Sequence, residues 1–176
     1  MKKMVTMAVA LAVCAAQAQQ VWTANDGASL VAALSSALPD DEIQLAGGSY
    51  INPSSATFLV PAGVSLRGGY SSDFQARDLG LYPSVLDGNG QAINVVTIGG
   101  ADVTVDGIVI TGAYGIDPGA HGRGLYKAVA GELLMTDCVI SNNWTTGLQN
   151  DAHGVAAFFF SGAVTMERCV IDFNGR

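Results

Sequence analysis

The sequence predicts an all-β solenoid in which parallel strands stack coil on coil, and two observations carry that prediction. Residues 103–110, 133–140 and 164–171 superimpose at offsets of 30 and 31 residues. Each copy places apolar side chains in the same columns: Val103/Leu133/Val164, Val105/Met135/Met166, Ile108/Cys138/Cys169 and Ile110/Ile140/Ile171. Asn143 and Asn174 follow the later two copies. The second observation is punctuation. β-Branched residues fill the strands while Gly and Asn fill the gaps, which is strand chemistry and not helical chemistry. No single copy of this length can bury its apolar face alone, so successive copies must cover one another.

The elements follow in order from the N-terminus. Met1-Lys2-Lys3 precedes an apolar run over residues 4–16 that only Thr6 interrupts, and Ala16-Gln17-Ala18 supplies a small-x-small cleavage site. Residues 1–18 are therefore read as a signal peptide cleaved after Ala18. The apolar run is well short of the roughly 20 residues that span a bilayer, which argues against a membrane anchor. Leu11-Ala12-Val13-Cys14 has the outline of a lipobox, with Val13 where such signals carry Gly, Ala or Ser, and lipidation of Cys14 stays open as an alternative. Residues 19–176 suffice for one elongated domain.

Fifteen acidic residues face eight basic ones, a formal charge of −7 that falls to −9 once Lys2 and Lys3 leave. Lys127 is then the sole lysine. Such a surface repels phosphate backbones and anionic membranes, which argues against nucleic acid as a partner.

Residues 19–40 form the expected N-terminal cap. Asn25-Asp26-Gly27 is a turn, and Ser29 is placed to cap a helix over residues 29–38 that Pro39 and Asp40 terminate. Leu30, Ala33, Leu34, Ala37 and Leu38 make its apolar stripe, suited to covering the first coil; a partner-binding helix is the alternative. Residues 41–176 supply the coils, with strand candidates at 43–45, 58–60, 64–66, 85–86 and 95–98 ahead of the three repeat copies. Gly47-Gly48, Gly68-Gly69, Gly88-Asn89-Gly90 and Gly99-Gly100 turn the corners. Residues 70–82 and 114–123 break the strand rhythm and are candidate functional loops. A strand has just ended at Asn174-Gly175-Arg176, so the coils are expected to continue beyond residue 176, or to meet another subunit there.

Cys138 and Cys169 share a column, which sets them about 4.8 Å apart as neighbours on adjacent parallel strands. That spacing permits a disulfide, but side chains leaving in-register strands in one direction orient poorly for it. Two buried thiols in an interior stack are expected. No further Cys or His falls at ligand spacing, so no metal site is assigned.

The residues also carry a resemblance. Residues 43–50 (IQLAGGSY), 66–70 (LRGGY), 85–90 (VLDGNG), 103–112 (VTVDGIVITG) and the two Cys-Val-Ile-x-x-Asn copies together resemble secreted bacterial right-handed parallel β-helix repeat proteins, closest to the polymorphic outer-membrane-protein type. The resemblance spans about residues 41–176. It implies a right-handed parallel β-helix with a short capping helix, in a non-catalytic secreted or cell-surface passenger, adhesin-like or ligand-presenting. Surface glycans or another protein are its implied partners, and a C-terminal anchor or translocator domain its implied continuation. The Gly-Gly-x-Ile strand opening of that group survives only as Gly124-Leu125-Tyr126 and Gly154-Val155-Ala156.

The alternative function is a polysaccharide-active enzyme, a lyase or a glycoside hydrolase, with catalytic coils partly beyond residue 176. A glycosidase needs two carboxylates about 5 to 9.5 Å apart. Asp87, Asp106 and Asp137 are the candidates along one side of the coil, and Asp106 and Asp137 sit one column apart where turn residues belong. Polygalacturonase patterns are absent; His121-Gly-Arg-Gly124 comes nearest and lacks paired aspartates. A lyase needs clustered carboxylates with a basic group, and Arg67, Arg77, Arg123 and Arg168 have no acidic cluster near them in sequence. Asp151-x-His153 lacks further ligands, and Asp87-Gly-Asn-Gly90 reads as a turn. No catalytic, metal or cofactor residue is therefore assigned. In Phe158-Phe159-Phe160, strand alternation sends Phe159 outward if Phe158 and Phe160 turn inward, so that core packing accounts for two of the three rings. The outward ring, with Trp144 and Tyr126, would form an aromatic strip suited to sugar faces or to another domain.

Overall fold

The architecture is that of a computed structural model, which describes residues 18–115, 123–145 and 155–175. The described chain opens with β1 (Val21–Ala24) and α1 (Gly27–Ser36), the one helix among the described residues. It then passes through β2 (Glu42–Ala46), β3 (Gly48–Ile51) and β4 (Phe58–Val60), and through β5 (Ser65–Tyr70), β6 (Ser84–Asp87) and β7 (Val96–Ile98). A third circuit comprises β8 (Val103–Asp106), β9 (Ile108–Thr111), β10 (Tyr114–Gly115) and β11 (Leu125–Lys127). A fourth comprises β12 (Glu132–Thr136), β13 (Val139–Ser141), β14 (Trp144–Thr145) and β15 (Ala157–Phe159), before β16 (Ala163–Glu167) and β17 (Val170–Asp172).

These strands build an all-β molecule of parallel sheets. The first sheet runs β1-β2-β5-β8-β12-β16, the second β3-β6-β9-β13-β17 and the third β4-β7-β11-β15, while β10 and β14 form a two-stranded ribbon. Every pairing between named strands is parallel, and the chain visits the three sheets in rotation. The register matches the repeat columns: Val103, Leu133 and Val164 align, as do Val105, Met135 and Met166. Val103, Val105, Ile108, Ile110, Leu133, Met135, Cys138 and Ile140 are all buried in one continuous core.

Each repeat copy proves to be two strands on different sheets, not one. The break falls at Gly107, Asp137 and Arg168, whose φ values of 68°, 52° and 53° lie in the left-handed region. One left-handed residue reverses the inward phase, which is how columns at positions 1, 3, 6 and 8 of the copy all face the core. A second left-handed column, Gly112, Asn142 and Phe173, ends the second sheet. Directly after it, Asn143 Oδ1 accepts from the Ala113 amide at 3.0 Å, and Asn174 Oδ1 accepts from the Asn143 amide at 3.1 Å and from Asn143 Nδ2 at 2.9 Å. This asparagine ladder satisfies corner backbone groups that no sheet can reach.

The cap differs from the sequence expectation in its boundaries. α1 begins at Gly27, with Asp26 as N-cap and Ser29 three positions inside: Asp26 Oδ1 accepts from the Ser29 amide at 2.7 Å, and Ser29 Oγ accepts from the Asp26 amide at 3.1 Å. Both residues are good caps, and the reciprocal capping box decides between them. Starting earlier, the helix ends at Ser36; Leu38 lies beyond it and is exposed, while Leu30, Ala33 and Leu34 pack on the core. A Cβ at Gly27 would collide with the Ile51 carbonyl, so only glycine lets the helix seat this closely on β3. Asp41 closes the far side, accepting from the amides of Gln20 (2.9 Å) and Leu38 (2.9 Å) and from Trp22 Nε1 (3.0 Å).

The loop over residues 70–82 folds back on the corner between the first two sheets. Arg77 Nε donates to the Gly68 carbonyl at 2.9 Å, and its guanidinium stands 5.8 Å from the centre of the Tyr70 ring. Residues 1–17 of the expected signal peptide, including Cys14, lie outside the described residues, as do 116–122 of the second candidate loop, His121 among them, and Asp151, His153 and Gly154.

Candidate functional site

The three outward faces have different chemistry. On the first sheet, outward side chains carry charge. Glu42 pairs with Arg67 at 3.4 Å, Asp106 with Arg77 at 2.9 Å, and Asp137 meets Arg168 in a two-pronged contact at 2.7 and 2.8 Å. The register explains the assembly: Arg67 aligns with Asp106, and Asp106 aligns with Thr136, the residue before Asp137. Arg77 reaches this row from the folded-back loop. The acidic partners that sequence proximity did not offer the arginines are thus supplied by neighbouring coils. Arg168 holds the Asp137 carboxyl below its ordinary range, and Arg77 adds in the same direction. Asp87 is not part of the row; it lies on the second sheet in register with Thr111, where its Oδ1 accepts from the Asn89 amide at 2.7 Å and closes a turn.

The third sheet is aromatic and uncharged. Leu59, Thr97, Tyr126 and Phe158 stand in one outward column. The Tyr126 and Phe158 rings lie 6.0 Å apart and within 11° of parallel, and Phe160 follows at 6.4 Å from Phe158, three-quarters exposed. The orientation is the reverse of the one expected from sequence. Phe159 aligns with Lys127 and Ile98 on the inward column, though on this last strand of the sheet it is still 37% exposed, and Phe158 and Phe160 take the outward phase. Trp144 belongs elsewhere, exposed beside Tyr114 on the β10–β14 ribbon.

Two cations, Lys127 on β11 and Arg123 just before it, are turned into the molecule. Lys127 is fully buried, and its Nζ donates to the carbonyls of Val129 (2.6 Å), Gly131 (3.1 Å) and Ser161 (2.6 Å). Three donors meet three acceptors, a structural clasp between coils. Arg123 is likewise buried, with Nη2 donating to Thr145 Oγ1 at 3.2 Å. Neither position was legible as interior, since basic residues default to the surface.

Two hollows lie at the β4 end of the third sheet. One of about 320 Å³ is lined by Ser55, Ala56, Thr57, Gln91, Ile93 and Asn94, at the starts of β4 and β7. An apolar one of about 200 Å³ lies between α1 and β4, with Val31, Leu34 and Leu59 in its wall. Among the described residues, Cys138 and Cys169 are free thiols, the first buried and the second half-buried. Burial pushes the Cys138 thiol up to about 12. Among the described residues no group of His, Cys, Asp or Glu could hold a metal ion, and no helix is long and apolar enough to cross a membrane. Comparison with family models, with curated proteins and with solved structures finds no match to this chain.

Proposed function

We propose that the chain is a right-handed parallel β-helix of the secreted or cell-surface passenger kind, non-catalytic, which presents its strand faces to a ligand. The observation that carries this reading is the state of the carboxylates. Of the candidates for acid and base, Asp106 and Asp137 are each engaged by an arginine, and Asp87 closes a turn. A glycosidase must keep one carboxyl protonated near neutrality, which requires a raised pKa; Arg168 drives Asp137 the other way. An uncharged outward column that carries Tyr126 and Phe158 supports presentation instead. The extracellular expectation agrees with an acidic surface and with the signal-like N-terminus.

One observation favours the second reading, a polysaccharide-active enzyme. Asp106, Asp137, Arg77 and Arg168 do come together at one corner, and carboxylates beside arginines are the parts of a lyase site. The test is direct. The purified chain is incubated with neutral and acidic polysaccharides, and reducing ends and unsaturated products are measured. The passenger reading expects no product above a blank. Product that disappears in Asp137→Asn or Arg77→Ala would replace it with the enzyme reading.

A further inference from the structure

We propose that the outward face of the third sheet, together with the hollow at Ser55, Thr57, Gln91 and Asn94, binds an uncharged polysaccharide; the proposal rests on the non-catalytic reading above and names its ligand class.

Charge is the first argument. Among the described residues, no side chain in the column Leu59, Thr97, Tyr126 and Phe158 is charged at neutral pH, nor is exposed Phe160 beside it. Lys127 on β11 and Arg123, two residues before that strand, are 0% and 1% exposed and cannot reach a ligand. An acidic glycan, a nucleic acid or an anionic lipid headgroup would find no counter-charge here, on a chain whose net charge is −7. On the first sheet, by contrast, arginines and carboxylates stand outward.

The second argument is the pairing of ring surface with neutral polar groups. Sugars present C–H faces that pack on aromatic rings and hydroxyls that need donors and acceptors in pairs. Tyr126, Phe158 and Phe160 provide the rings. Next to Tyr126 in the column stands Thr97, whose Oγ1 lies 2.9 Å from Thr57 Oγ1, and further toward the starts of β4 and β7 Ser55 Oγ donates to Gln91 Oε1 at 2.8 Å. Hydroxyl and amide groups both donate and accept, so this row can exchange bonds with ligand hydroxyls without leaving a buried charge. A volume of about 320 Å³ falls within the size of a small-molecule site. A protein partner or a second copy would favour a drier, broader apolar patch than a column interrupted by Thr97.

The full chain is passed over microcrystalline cellulose, chitin and mannan, and over polygalacturonate and alginate as acidic comparators. Retention on at least one neutral polymer and none on the acidic ones is expected. Phe158→Ala and Tyr126→Ala should each weaken retention about tenfold, equivalent to about 1.4 kcal/mol. Phe160→Ala should weaken it too, and because Phe160 is 75% exposed its loss leaves the fold intact. Thr165→Ala, on the first sheet, should leave retention unchanged. Retention on no neutral polymer, equal retention on polygalacturonate, or indifference to all three ring variants would overturn the proposal. So would a dimer in sedimentation that the same variants dissociate, since the face would then be an interface between copies. Cleavage of a retained polymer would overturn the non-catalytic reading while leaving the site; absence of both retention and cleavage would remove the site and leave that reading.

Discussion

Asn143 offers the sharpest perturbation, because its side chain ties three successive coils. Its Oδ1 satisfies the buried Ala113 amide at 3.0 Å, and its Nδ2 lies within reach of the carbonyls of Ser141 (3.1 Å) and Ile110 (3.3 Å) and of Asn174 Oδ1 (2.9 Å). Asn143→Ala removes these bonds together and leaves the Ala113 N–H orphaned in a dry corner. A net hydrogen bond contributes about 1 kcal/mol and an orphaned buried donor costs about 1 to 3 kcal/mol, so a loss of about 3 to 4 kcal/mol is expected. Asn174 makes a comparable set, donating to Ile140 O at 2.7 Å and Asp172 O at 2.9 Å and accepting from the Asn143 amide at 3.1 Å, but it is itself only half-buried, so water can enter the space its side chain leaves and take over these bonds. Asn174→Ala should cost about 1 kcal/mol. Urea unfolding followed by circular dichroism measures both, with unchanged slopes required for the comparison. If Asn143→Ala costs under about 1 kcal/mol, or no more than Asn174→Ala, the ladder does not hold the corner as argued.

Three further expectations use the same reasoning. Gly27→Ala places a methyl group against the Ile51 carbonyl, so the helix must lift from β3; a destabilisation of about 2 kcal/mol, readable as a lowered urea midpoint, is expected. Acid should destabilise the fold in a defined direction. Asp26, Asp41 and Asp137 have folded pKa values below the ordinary 3.8, from the Ser29 amide, the Leu38 amide and Arg168 respectively. A depressed carboxyl contributes stability that is present above pH 3.8 and is lost as pH falls through the folded value. The urea midpoint should therefore be flat from pH 7 to about 5 and fall below about 4, and Asp41→Asn should flatten that fall while lowering the midpoint at pH 7; a midpoint that rises on acidification would contradict the assignment. Cys138, with its thiol pushed up to about 12, should resist alkylation by iodoacetamide at pH 8 until urea unfolds the chain; peptide mapping that finds it modified in the native state would place it outside the core.

Much of this architecture was legible because β-branched residues in fixed columns constrain stacking strongly. Val103, Leu133 and Val164 could align in few other ways, and Asn143 and Asn174 recur at one position after the later two copies. The split of each copy into two strands was hidden, because Asp137 and Arg168 occupy left-handed positions that in the first copy Gly107 marks openly. β3 was hidden within Gly47-Gly48, which reads as a turn. The phase of Phe158-Phe159-Phe160 could not be read from three identical rings; the register with Lys127 sets it, and a lysine inside the stack is not what its residue type suggests. The charged row escaped for another reason. Arg77 meets Asp106, and Arg168 meets Asp137, only because coils bring together residues about one circuit apart.

The stacking of coils is the claim from which the faces, the ladder and the ligand surface all follow, and a distance measurement tests it most directly. Glu42, Ser65, Thr104, Leu134 and Thr165 form one outward column on the first sheet. Four strand spacings of about 4.8 Å place its ends about 19 Å apart. Spin labels at positions 42 and 165 of a variant with no other cysteines, read by double electron–electron resonance, should give one narrow distribution centred near about 20 Å. A broad distribution, or one centred well beyond about 30 Å, would mean that the coils do not stack in this register.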